Sequence, residues 1–333
     1  MEKTAKHKNK KWALLFLVLL APVMGELLSG SSPPNEFFTP FGFIVMTLLY
    51  GGGALLIREA RVRWQLGWSI VFLAIAYGIL EEGLLMQSFF NHNHIDLEEL
   101  AGYGMFLKCQ WPWAIELTIY HATVSTLLPI MATDLLFPDL ANEPFLKKPG
   151  IISTIVLLAL DTIVMAAFVI ITYSSVPHPY VPSALNLFVW TLITFALIYM
   201  SYRLREKRYA DENVRLRSPF NFAVKGFLFV PIVIITPYVF ANFNAPAAIA
   251  VAAELAIAYW ILHFAFRQIS HRGITVRHKA FLFAGVIISF SVLAAFSDLV
   301  NHNSGMLETG IACTALLIVY CTVVLKREKK PKK

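Results

Sequence analysis

Charge is scarce in this chain: Asp, Glu, Lys and Arg make up only 15% of its 333 residues. A soluble domain carries about a quarter. That shortage excludes a water-soluble globular protein, and with it any division into soluble domains of about 150 residues. Cysteine is also rare. Cys109, Cys313 and Cys321 are the three present, with no CxxC pair, so neither a disulfide framework nor a zinc ribbon is on offer. No internal repeat is visible, although ten helices in two inverted halves would be a common transporter plan.

What the chain has instead is apolar sequence, 57% of all residues, with mean hydropathy +0.63. Runs long enough to span a bilayer, about 17–25 residues each, fall near 12–28, 41–57, 66–87, 111–137, 151–173, 183–202, 226–243, 246–266, 280–298 and 306–325. Starting inside and alternating, the inner segments collect 27 of the 28 Lys and Arg residues, Lys108 being the exception. The excess of positive charge on inner loops therefore orients the chain with both termini cytoplasmic. The same distribution accounts for the net charge of +7 and leaves no basic surface for nucleic acid. The expectation is an all-α, polytopic transmembrane bundle of about ten helices in a bacterial plasma membrane. A basic segment, 1–11, precedes a single membrane domain, 12–325, and a basic tail, 326–333, follows it. The first apolar run continues to about Leu28 with no A-x-A site after it, which favours a retained helix over a cleaved signal.

Several features read as structural. Gly51, Gly52 and Gly53 suit close helix packing. Pro231 and Pro237 should bend the seventh span. The inner stretch 203–225 is basic and suits anionic headgroups. His92, His94 and Asp96 lie in an outer segment, 88–110, expected to be a solvated loop. Asp298, Asn301, His302 and Asn303 read as cap and loop. Asp134 is expected at the inner interface, and Glu26 and Glu116 are expected to snorkel outward.

Glu81 and Glu82 stand apart. They sit side by side in the run Tyr77–Phe90, YGILEEGLLMQSFF. A charge at the centre of a spanning helix costs about 2.5–3.5 kcal/mol, so a pair needs a partner, a cavity, a shared proton or a metal. At 1.5 Å per helical residue, Glu116 lies about 8 Å and His121 about 15 Å below the outer face, in the depth band of the glutamates. Glu254 belongs to that band too, and Asp161 is near the midplane. His121 is the natural partner, because imidazole can donate to a carboxylate, bind metal or relay a proton. Ser125 lies one turn below and is placed to support it. Neighbours on an α-helix point about 100° apart, so Glu81 and Glu82 would need a wide cavity to act together. Such a set suits water activation, with a divalent metal held by Glu82 and His121 as one option, and it equally suits a proton carrier.

A Glu-Glu pair late in one span, followed about forty residues on by a histidine in the next, resembles the CAAX-protease and bacteriocin-processing family of intramembrane proteases. The resemblance covers residues 77–125. It matches Glu81 and Glu82 to that family's EExxxR pair and His121 to its FxxxH histidine. Met86 stands at the arginine position, Leu117 at the phenylalanine position, and no HxxxN or HxxxD follows. The resemblance implies hydrolysis of a membrane-associated peptide, with Glu81 as base, Glu82 assisting or holding metal, and His121 steadying the water. The residues alone leave open a proton-coupled transporter of a small molecule and a non-catalytic scaffold or sensor.

Overall fold

A computed structural model describes residues 2–173, 180, 181, 183–205, 214–301 and 305–328. His302 and Asn303, singled out above, lie outside them.

The apolar runs are helical and the chain is an all-α bundle. In order, α1 is Glu2–Pro22, continued by a π-helical turn, Val23–Leu27. A short α2, Pro34–Phe37, leads to α3, Pro40–Trp64, and then to α4, Ile70–Gly78 with a π turn Ile79–Leu85. The rest are α5 (Trp111–Leu136), α6 (Lys148–Tyr173), α7 (Ala184–Arg203), α8 (Pro219–Asn242), α9 (Ala247–Ile269), α10 (Val276–Asn301) and α11 (Met306–Glu328). Helix starts follow local chemistry. Thr39 accepts from the Gly42 amide at 3.0 Å with Pro40 behind it, and Ser218 accepts from Asn221 with Pro219 behind it.

Among the described residues, eight helices are long and apolar enough to cross a membrane: α3 and α5–α11. The other two expected spans, α1 and α4, do not meet that measure, and α4 ends at Leu85, just beyond the glutamate pair. Pro231 and Pro237 lie inside α8 without ending it. Only 11% of the residues in the apolar windows of α6, α7 and α9 are buried, against 61% in α5. Apolar side chains such as Ile155, Ile163, Phe188 and Phe195 thus face outward where lipid would lie, while α5 runs through the protein interior.

The glycines act where helices touch. A Cβ on Gly51 would lie 2.4 Å from the Val18 carbonyl of α1, and one on Gly53 would lie 2.1 Å from the Tyr77 ring of α4. Both therefore set how closely α3 sits against its neighbours.

Three expectations change. Arg58 is fully buried within α3 rather than in a loop. Asp134 is not merely interfacial: it pairs with Arg58 at 3.2 Å and Arg61 at 2.8 Å. Arg58 also donates to the Leu140 and Glu143 carbonyls, and Glu59 accepts from the Phe145 and Leu146 amides, which pins the turn after α5. The outer segment is folded, not a solvated loop. It holds a 3-10 turn, Ile95–Leu100, and a hairpin of β1 (Met105–Phe106) and β2 (Cys109–Gln110). Phe89, Phe90, Leu97 and Leu100 form an apolar cluster with Trp113 beneath it. The Asp298 carboxylate accepts from the Leu307 amide at 2.9 Å and so caps α11.

Candidate functional site

Four π turns supply the site. The extra residue in each turn leaves i→i+5 bonds, seen at Leu28 to Val23 and Met86 to Glu81, and widens the local helix. The turn of α1 carries Glu26, that of α3 (Thr47–Gly51) carries Tyr50, that of α4 carries Glu81 and Glu82, and that of α5 (His121–Leu127) carries His121 and Ser125. π turns are rare and recur at functional positions.

Small residues let these turns meet. A Cβ on Gly25 would approach Ser125 Oγ and the Tyr50 ring to 2.9 Å, and one on Gly78 would lie 3.3 Å from His121 Cβ. Glu81 and His121 consequently stand together deep in the protein, 0% and 3% exposed.

The imidazole engages both glutamates. His121 Nδ1 is 3.5 Å from Glu81 Oε2, and Nε2 is 3.3 Å from Glu82 Oε1. The expected divergence of the two carboxylates is thus corrected, because a π turn rotates less per residue than an α-helix and aims both at one ring. Ser125 Oγ lies 3.1 Å from His121 Nδ1, and the Tyr50 ring stacks beside the imidazole at 5.8 Å. The Ser88 hydroxyl donates to Glu82 Oε2. Glu81 differs: among the described residues neither of its oxygens has a hydrogen-bond partner. One ligand atom from each of Glu81, Glu82 and His121 falls within a 4.8 Å span. An imidazole with two carboxylates is a donor set that divalent zinc, manganese or iron accepts. A carboxylate held at ion-pair distance by the imidazole, with no hydrogen bond to its oxygens among the described residues, fits such an ion.

The remaining candidates separate from this centre. Glu26 does not snorkel; it accepts from the Tyr50 hydroxyl and from Ser32 at 2.8 Å, bordering the site. Glu116 does not snorkel either. It is 4% exposed and feels the charges of His121 and Glu82 without bonding to them. Glu254 is buried within electrostatic range of Glu116. Asp161 is buried near Tyr77, apart from His121.

The outer segment closes the site from above. Gln87, at the turn out of α4, has φ 54°, and Ser88 follows it onto Glu82. His94 is buried here, with Nδ1 3.7 Å from Asp96. Burial holds its imidazole below the usual value, against the opposing pull of Glu82. His92, by contrast, is exposed, as expected of a solvated loop. Tyr50, Ser88 and His94 were not legible as site residues. A tyrosine in an apolar run reads as packing, and Ser88 and His94 reach the site only because the outer segment folds back.

Residues 15–327 match a family described as an uncharacterized membrane protein family. No curated protein and no solved structure matches the chain.

Proposed function

The chain belongs to an uncharacterized membrane protein family, and from that premise we propose that it is an intramembrane hydrolase that cleaves a membrane-associated peptide. The observation that carries this reading is the convergence of Glu81, Glu82 and His121, buried and within 4.8 Å. Their unequal anchoring suggests distinct roles. Ser88 holds Glu82 and Ser125 holds His121, while Glu81 faces the imidazole at 3.5 Å and accepts no hydrogen bond among the described residues. Glu81 takes the proton of the attacking water and returns it to the leaving amine. His121, set by Ser125 and Glu82, steadies the water and the developing oxyanion. A divalent ion, held by the same three side chains, would lower the pKa of that water. Entry requires the cover at Gln87–Ser88 to lift from Glu82. The resemblance to CAAX-protease and bacteriocin-processing enzymes supports the same assignment.

The test is cleavage of a library of membrane-anchored peptides by the purified protein, with and without chelator and added divalent ions. Glu81→Gln is expected to lower the rate by about 10²–10⁴-fold, the range of general acid–base catalysis. Glu82→Gln and His121→Ala should also lose activity, and Ser125→Ala should lose less. Absence of cleavage under every metal condition removes the hydrolase.

A second reading rests on a separate observation. Glu116 and Glu254 are buried in the same half of the bundle, and among the described residues Glu116 Oε2 and both Glu254 oxygens have no hydrogen-bond partner. Such groups suit a proton route through a transporter. Gradient-driven uptake into proteoliposomes, lost in Glu254→Gln, would establish it in place of hydrolysis.

A further inference from the structure

At the opposite end of the bundle from the outer segment, two cavities meet. The larger, about 630 Å³, opens among α4, α5, α8, α9 and α10, with walls that include Ile75, Ile119, Leu127, Phe229, Ile261 and Val286. Arg61, Lys225 and Lys279 also line it. Its one acid among the described residues, Asp134, is already engaged by Arg58 and Arg61. The smaller cavity, about 420 Å³, is lined by Arg215, Arg217, Lys225 and His263, and by no acid among the described residues; Arg267 borders it too but is already engaged elsewhere.

Lys225, Trp260 and Phe264 belong to both. The Lys225 ammonium sits 4.9 Å from the Trp260 ring centre and 5.2 Å from that of Phe264, at the junction of apolar and basic space. The basic wall is built rather than loose. Gln268 takes the Arg217 amide at 2.8 Å and donates to the Arg215 carbonyl. His271 contacts the Val214 carbonyl at 2.8 Å, and His278 contacts that of Arg217 at 3.1 Å. These bonds fix the strand of chain that presents both arginines.

We propose that the two cavities form one binding site for an anionic phospholipid, with an acyl chain in the larger and the phosphate headgroup in the smaller. Charge complementarity selects this occupant. A zwitterionic lipid offers the same tail but no net charge to a wall of arginine and lysine, and basic pockets between membrane helices favour acidic headgroups. The site is separate from the Glu81–His121 centre, and neither proposal depends on the other.

The test uses full-length protein in mixed micelles, titrated with brominated-chain phosphatidylglycerol or brominated-chain phosphatidylcholine, reading tryptophan quenching. Phosphatidylglycerol should quench at an about tenfold lower mole fraction. Lys225→Gln combined with Arg217→Gln should bring its curve to that of phosphatidylcholine. Lys108→Gln, exposed on the outer hairpin, should leave the preference intact. Trp260→Phe should lower the headgroup-selective quenching, Trp68 in the wall of the larger cavity reporting the remainder, which reads the site even if the charge variants misfold. Coincident curves in the wild type, an unchanged preference in the double variant, or undiminished selective quenching in Trp260→Phe each overturn the proposal. Abolition of the preference by millimolar inorganic phosphate overturns the lipid and leaves a free-phosphate site.

Discussion

His121 shows how much one residue can organise: its two ring nitrogens face carboxylates from adjacent positions in the chain, and its own helix supplies Ser125. The cost of placing charge among apolar residues made Glu81, Glu82 and His121 conspicuous in the sequence. No comparable cost marks Tyr50, whose ring and hydroxyl look like ordinary packing until Glu26 and the imidazole are seen beside it. Arg58 was misplaced for a related reason. A run of arginines after an apolar stretch reads as a loop, yet Arg58 is enclosed and satisfied by Asp134 and by backbone carbonyls. Removing one partner of a buried pair leaves the other uncompensated. Asp134→Asn is therefore expected to cost about 3–5 kcal/mol, measured as lost resistance to denaturant in detergent. Arg63→Gln, whose partner Glu59 also holds two backbone amides, should cost much less.

At the scale of elements, the π turns do the positioning. Each arises where polar or bulky groups meet a close neighbour: Glu26 against Tyr50, Glu82 against His121 and Ser88. The helical period in the sequence says nothing of a single inserted residue, which is why the glutamate pair was expected to diverge. Helix contact was more legible, since a triplet of glycines in an apolar run has few other uses. At Gly53 the tolerance is small, because a methyl group would overlap the phenol end of Tyr77. Gly53→Ala should destabilise the bundle by about 1–3 kcal/mol, the usual cost of overpacking. Tyr77→Leu in the same chain should recover part of that loss, and a double-mutant cycle in thermal unfolding checks the coupling. The outer segment was the least legible element. Its polar residues suggested solvent, but Phe89, Phe90, Leu97 and Leu100 bury together and draw Asn91 and His94 in with them.

Over the whole molecule, burial sorts the helices. α5 runs through the interior and carries His121, while α6, α7 and α9 present apolar side chains to the surroundings. The orientation expected from basic loops has a direct test. In a chain with Cys109, Cys313 and Cys321 replaced by alanine, Lys108→Cys should react with a membrane-impermeant thiol reagent from outside intact cells. Gly67→Cys, in an exposed turn with open space around it, should react only after permeabilisation. The reverse pattern inverts the protein, and labelling of both from one side removes α4 as a span.

The sequence by itself determined that the chain is a helical membrane protein and where its costly charges lie, because lipid penalises charge and unpaired backbone whatever the arrangement of neighbours. Only the tertiary structure decided which of those charges meet. Glu81, Glu82 and His121 converge while Glu116 and Asp161 stand apart, because one-residue π insertions and glycine-sized contacts set helix rotation and approach, and neither leaves a trace in hydrophobic periodicity.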